Sequence, residues 1–593
     1  MKTAQTPASY FAIILNAHLP YVVNHGTWPH GMEWLHEAVA ETYLPLLRVL
    51  GNLERDGVPA NFSINLSPIL LEQLAHPLFR AEFPKYVARK IVAAREDEAY
   101  FLQSGDVTLA DTARFWSHFY TTAQTEFNAL DGEIVRGFRH FNDAGLIEVL
   151  TSAATHGYLP LLGTDESLRA QIRCAVETHR RHLGRAPRGI WLPECGYRPA
   201  GLWSYPVPDE GSNEKRAAIQ RIGVEQVLAE CGLEFFFVDT HLVEERDQSL
   251  YQPYFVEGLN THTRAVTVFP RDPRTGVQVW SSDIGYPGDP NYLDFHKKRF
   301  PGGHRYWQVS GNANGVGDGL SYLPEQAAER VQHHANHFVQ LVYKTLESSV
   351  NQRTPPILCA PFDADLFGHW WFEGAHWLEA VARTLDTRFR QSDGTVRHDA
   401  GAISVGERAI STTCSQYIDR HPRAGTIVLD EGSWGTGGDN QVWLNSETAW
   451  TYAQIYPAEI ILREIATADK WRESEWGGRI VRQMCRELLL LESSDWQSLI
   501  TTGAARDYAE KRFHTHHQHF TELKEMWQAY EAVGTLDLRQ TNRLIEIESR
   551  DGVFPEIDPE LWVAGARETG NDTIAGTVVD RNGVVANKVT SIN

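Results

Sequence analysis

The chain has 593 residues, of which 42% are hydrophobic and 22% charged, the balance of a globular protein. That length predicts more than one folding unit, and no apolar run approaches the roughly 18 residues that mark a membrane span. Acidic residues outnumber basic ones 76 to 55, a formal net charge of -21; this field disfavours nucleic acid and anionic membranes as partners and leaves a neutral polymer such as a polysaccharide unhindered.

Short apolar runs recur along the first two thirds of the chain: Phe11 to Leu15, Asn61 to Leu66, Leu146 to Leu150, Gly189 to Leu192, Phe235 to Val238 and Pro356 to Ala360. They read as strands buried on both faces of a parallel sheet. The first runs straight into His18-Leu19-Pro20 and reads as a strand rather than a signal-peptide core, which favours a cytoplasmic protein. Helix-like stretches such as Met32 to Leu50 and Ser167 to Leu183 lie between the runs, so the expected class is α/β, with a closed barrel as the leading form. Residues 71–142 read as an inserted helical region, and 239–265 as a lid loop containing Tyr251 and Tyr254. The pattern changes after about residue 405. A segment rich in Gly, Trp and Asn at 431–443 leads into helical periodicity from Trp450 to about Ile545, giving a barrel over 1–405 and a helical domain over 406–560. Residues 561–593 are small, polar and aperiodic, the composition of a loose tail.

Two of the runs end in a carboxylate followed by an aromatic-rich loop. Glu194 follows Gly189 to Leu192, and Asp363 follows Pro356 to Ala360. Strand ends of a parallel barrel converge on one face, where catalytic groups gather. Two carboxylates there suit glycosidic-bond chemistry. His18 and His156 are candidates to bind sugar hydroxyls, and Trp28, Trp280, Trp434 and Trp443 are candidate platforms for the apolar face of a pyranose. Gly302 to Trp307 reads as a further groove loop. Cys195 and Cys359 flank the carboxylates and read as small buried residues. The six scattered cysteines form no Cys-x-x-Cys pair and fit a reducing compartment. No cofactor and no metal is expected: His333, His334 and His337 share a helical face by spacing, but Gln and Asn surround them.

Taken in order, these segments resemble glycoside hydrolase family 57, and within it the 1,4-α-glucan branching enzymes. The likeness rests on His18-Leu-Pro20, Gly145 to Pro160, Trp191-Leu-Pro-Glu194-Cys-Gly-Tyr197, Pro361-Phe-Asp363 through Trp371, Ser433-Trp434 through Asn445, Ser494-Asp495-Trp496 and Val553 to Trp562. It implies an incomplete (β/α)7 barrel with a helical C-terminal domain and retention of the α-anomer. It also implies Glu194 as nucleophile, Asp363 as general acid/base, and Asp495 and a loop tyrosine, Tyr251 or Tyr254, among the substrate-binding residues. An apolar setting of Phe362, Trp370 and Trp371 should raise the pKa of Asp363, and Asp365, two residues on, is the rival acid. The expected partner is an α-1,4-glucan such as amylose or a glycogen-like polymer, acted on by a monomer or homodimer. The alternatives are an amylase-like α-glucan hydrolase on the same carboxylates and a metal-dependent polysaccharide deacetylase, for which His18 lacks an adjacent ligand.

Overall fold

The computed structural model describes residues 9–563 apart from 209, 210, 213, 259–264, 282, 283, 311–318, 348, 350–353 and 393–408. Of the expected tail over 561–593, residues 564–593 lie outside the described residues, as does the expected domain boundary near 405, whereas Leu561 and Trp562 belong to the turn Pro559–Trp562 and Trp562 is buried.

The first strand, Ser9–Ala17, is buried throughout and pairs in parallel with Phe62–Leu66 on one side and Ile357–Asp363 on the other. Phe62–Leu66 pairs with Ile147–Leu150. From there the ring continues through parallel bridges Thr151 to Ile190 and Gly189 to Phe235. Phe235–Val238 pairs with Thr267–Pro270, and the bridge Arg271 to Cys359 returns to Ile357–Asp363. Seven parallel segments therefore close on themselves, with helices between them, as an incomplete (β/α)7 barrel. The Thr267–Pro270 strand is the one absent from the sequence-based series.

Period-two alternation sorts the first strand's side chains. Tyr10, Ala12 and Ile14 join Trp191, Phe235, Phe237, Phe269 and Cys359 inside the barrel, whereas Phe11, Ile13 and Leu15 join the core beneath the surrounding helices. Asn16 continues the inward series at the strand's C-terminal end. Helix Cys414–Arg420 closes the opposite end, with the Tyr417 ring 5.3 Å from that of Tyr10 and its hydroxyl donating to Pro355 O.

Within residues 71–142 the long helices are Pro77–Ser104 and Val107–Ala129. Two expectations change. Strand Ala409–Ser411 pairs with the first strand and Thr426–Ile427 pairs with Tyr254–Val256, so the barrel's own elements run well past 405 and the long helical series begins at Ala449. The described part of the 239–265 stretch is built into the barrel wall: it carries helix His241–Glu244 and strand Tyr254–Val256, which pairs with Thr267–Pro270. Helices Ala449–Ala468, Glu475–Leu491, Ser494–Thr502, Arg506–Val533 and Leu538–Arg550 share one continuous apolar core with the barrel's exterior. None of the described helices is long and apolar enough to cross a membrane.

Candidate active site

Glu194 and Asp363 end two barrel strands on the same face, each keeping some surface open to solvent and walled in elsewhere. Glu194 stands at φ 60 and Cys195 at φ 50, and His156 across the site at φ 58. Left-handed backbone at residues other than glycine costs on the order of 1–3 kcal/mol each and gathers where function fixes a side chain. Trp434 holds Glu194 from two directions, its Nε1 donating to Oε2 at 2.7 Å and its backbone N donating to Glu194 O at 3.0 Å. The indole is packed against Trp191, ring centroids 5.1 Å apart.

Asp363 lies in register with Asn16, whose Nδ2 donates to Oδ1 at 2.9 Å. Asn65 Nδ2 in turn donates to Asn16 Oδ1 at 2.7 Å, which fixes the amide's orientation. His18, two residues beyond Asn16, bonds Ser67 Oγ through Nδ1 at 2.9 Å and Asp495 Oδ2 through Nε2 at 2.9 Å. Its ring stacks on His156 at 3.9 Å and 9°, and His156 Nδ1 meets Ser494 Oγ at 3.0 Å. The buried His156 Nε2 has no hydrogen-bond partner within the protein. His18, His156 and Asp495 are thus brought together as a group, although Asp495 comes from the helical region.

The electrostatics differ from expectation in one respect. Burial pushes Glu194 up to about 7, against the Trp434 N–H that favours its charged form, and the Asp363 charge adds to the rise. Burial also raises Asp363, resisted by Asn16 and by the positive charges of His18 and Arg271. Asp365 rises by burial to about 6. The apolar setting is therefore shared by all three carboxyls. It does not come from Trp370, which is 53% exposed and stacked on Phe295. Asp495 goes the other way: burial would raise it, but His18 holds it below the ordinary carboxylate range.

The aromatic candidates divide. Trp434 is at the site through Glu194. Trp28 and Trp280 are 69% and 45% exposed. Trp443 is buried at 2% exposure and stacked on Tyr158 at 4.3 Å. It cannot offer a sugar a free face, and instead backs Gly435, whose missing Cβ would lie 2.9 Å from its ring. Tyr251 and Tyr254 also depart from expectation. Tyr251 O accepts from Ile357 N, at the start of the strand that ends in Asp363, and six residues of strand span about 20 Å. Its hydroxyl donates to Asp272 Oδ1 at 3.1 Å, and that of Tyr254 to Ser249 O at 2.9 Å, so neither covers the carboxyls. Among the described residues of 239–265, His241 packs on Gly432 and Gly438, which flank the Trp434 loop. The middle of Gly302 to Trp307 is buried rather than open: His304, Arg305 and Tyr306 are covered, and Trp116 Nε1 donates to Arg305 O at 2.6 Å.

Asn16, Asn65 and Ser67 were not among the sequence candidates, and Ser494 stood only within the Ser494-Asp495-Trp496 motif without a role. A lone Asn in an otherwise apolar buried strand, as in Ile-Ile-Leu-Asn16 and Ser-Ile-Asn65, was the available signal. Among the described residues, one group has metal-ligand geometry: Glu487, His516, His519 and Asp551. Arg512 Nη2 lies 2.9 Å from His516 Nε2. A guanidinium only donates, so that nitrogen accepts and the proton sits on Nδ1, the atom aimed at Glu487 Oε2 at 2.8 Å. The group is a hydrogen-bonded charge network in this form. His334 and His337 are likewise engaged, with the hydroxyls of Tyr292 and Tyr286 at 2.8 Å.

Residues 12–379 match Glycosyl hydrolase family 57, and residues 454–562 match the C-terminal domain of 1,4-alpha-glucan branching enzymes. A 1,4-alpha-glucan branching enzyme of Thermococcus kodakarensis is 39% identical over 563 residues, covering 92% of this chain and 77% of that protein. The crystal structure of a family 57 branching enzyme from Pyrococcus horikoshii, also 39% identical, superposes with a TM-score of 0.84 over 94% of this chain and 97% of that one. An α-amylase structure from Thermotoga maritima is 26% identical, with a TM-score of 0.76 over 94% of this chain and 99% of that one. The family match over residues 12–379 and the likeness to relatives along more than nine tenths of the chain agree, and the chain belongs to glycosyl hydrolase family 57.

Proposed function

We propose that this protein is a 1,4-α-glucan branching enzyme working by a retaining double displacement through Glu194 and Asp363. The observation that carries the reading is the pair of recessed carboxyls on one barrel face, each held by a donor at hydrogen-bond distance. Glu194 attacks the anomeric carbon of an α-1,4 link while Asp363 gives its proton to the departing O4, leaving a covalent glycosyl ester on Glu194. Asp363, now a carboxylate, takes the proton from a glucan 6-hydroxyl as that oxygen attacks the same carbon. The ester breaks, Glu194 is regenerated, and two inversions restore the α-configuration. The Trp434 N–H spreads the charge that returns to Glu194 in the second step.

His18 and His156 face the site as a stacked pair, and the unpartnered Nε2 of His156 suits a sugar hydroxyl. Asp495 fixes His18 rather than meeting substrate first. Trp28 and Trp280 keep their place as candidate sugar platforms on the strength of their exposure. The curated relative and the C-terminal match favour branching over amylase action. All six cysteines are free thiols, which fits a reducing cytoplasm.

The test is an incubation with amylose that follows iodine colour, reducing ends and α-1,6 proton signals together. Colour should fall with few new reducing ends while α-1,6 signals grow, and Glu194→Gln or Asp363→Asn should cut the rate at least 10²–10⁴-fold with an unchanged unfolding temperature. Reducing ends rising in step with colour loss would make the protein a hydrolase, and activity in either variant would remove that residue from its role.

A further inference from the structure

We propose that the exposed face of Trp370, stacked on Phe295, is the platform for the acceptor glucan chain. This rests on Asp363 acting as the acid/base of the proposed reaction. Trp370 lies on the loop that leaves the Asp363 strand, and its backbone N donates to the backbone carbonyl of Asp365 at 3.1 Å, so the loop turns back on its own start, two residues past Asp363. The indole is 53% exposed while Phe295 covers it at 4.4 Å and 30° between planes. One face is occupied and the other is open to solvent.

The loop allows the ring little movement. His369 Nδ1 meets the buried Glu41 Oε2 at 3.1 Å, and Arg305 ties both, donating to His369 O and to Glu41 Oε2 at 2.8 Å each. On the other side Trp371 is buried, with Trp371 N donating to Leu366 O at 2.8 Å. Phe295 is itself flanked by Lys298 Nζ at 5.2 Å and the Arg305 guanidinium at 5.8 Å. A rigid indole with a free face loses little entropy on binding, and it fits the C–H face of a pyranose.

Sidedness identifies the chain. The acid/base group must face the oxygen that leaves and then the hydroxyl that attacks, whereas the nucleophile faces the ring being transferred. A platform anchored to the Asp363 loop stands on the leaving-group and acceptor side. The ligand class is a neutral α-1,4-glucan presenting its 6-hydroxyls, consistent with the acidic surface.

Transfer to a fluorescently labelled maltoheptaose acceptor, added to the full-length enzyme with amylose as donor, tests this. Trp370→Ala should raise KM for the acceptor about fivefold to tenfold, the scale of one aromatic stacking contact, with a smaller change in kcat and more reducing ends per transfer. Trp370→Phe should restore most of the acceptor affinity. An unchanged acceptor KM in Trp370→Ala, or a fall in kcat alone that Phe does not rescue, would overturn the platform. Linkage is scored separately by proton NMR: if the wild-type product carries only α-1,4 links, the branching reading falls, while the acceptor KM still judges Trp370.

Discussion

Glu194 and Asp363 are both buried carboxyls, and the charge of Asp363 bears on Glu194. Burial raises both, and the Trp434 N–H and the Asp363 charge act on Glu194 in opposite senses. That opposition yields a signed prediction. With an aryl α-maltoside whose leaving group needs no acid, the acidic limb of the glycosylation rate reports ionisation of Glu194 and should fall near pH 7 in the wild type. Trp434→Phe removes a bond to the charged form and should move the limb to higher pH, whereas Asp363→Asn removes a like charge and should move it lower. A limb unmoved by both substitutions would take Glu194 out of the nucleophile's position.

At the scale of elements, the loop 363–371 depends on one glycine. Gly368 has φ +125, and a Cβ there would lie 1.9 Å from Glu41 O. Neither the dihedral nor the approach admits a side chain. Gly368→Ala should therefore push the loop off the π-helical turn Val39–Tyr43, loosen the His369–Glu41 contact, lower stability by a few kcal/mol and reduce turnover more than tenfold, as thermal unfolding and amylose kinetics would show. Wild-type behaviour would mean the loop is free to shift without consequence. Elements were unequally legible in the sequence. Six of the seven barrel segments stood out as apolar runs, but Thr267–Pro270 is four residues ending in proline beside a polar stretch, and its parallel partner Phe235–Val238 lies 32 residues upstream in register. The supposed lid failed for the same reason: loops and edge strands share a polar, aromatic composition, and only pairing with Thr267–Pro270 shows that Tyr254 belongs to a strand.

Across the whole molecule, the helical domain supplies part of the candidate site: Asp495 and Ser494 hold His18 and His156. A second seam lies beside it, where His25 Nε2 meets Asp551 Oδ1 at 2.5 Å, Arg512 donates to Tyr21 O, and His519 sits between Glu487 and Asp551. Burial opposes charge on His519, but its two carboxylate partners hold it up to about 9. Because that value lies above the ordinary histidine range, the stabilisation is complete below about pH 6.5 and is lost as pH rises through about 9. Urea unfolding midpoints should decline from pH 6.5 to 10 more steeply in the wild type than in His519→Gln; parallel profiles would show that His519 carries no such charge.

By itself the sequence determined the strand–carboxylate–aromatic segments, their order and with them the family, and it singled out Glu194 and Asp363 as candidates. Those features are local: a buried strand must be apolar, and a carboxylate at its end is visible within ten residues. Only the tertiary structure decided what stands beside each carboxyl. The partner of His18 lies 477 positions away and that of Glu194 lies 240 away. Burial, hydrogen-bond donors and the sharing of protons depend on such contacts. Periodicity records which face a residue takes, and it holds no trace of which distant residue will meet it there.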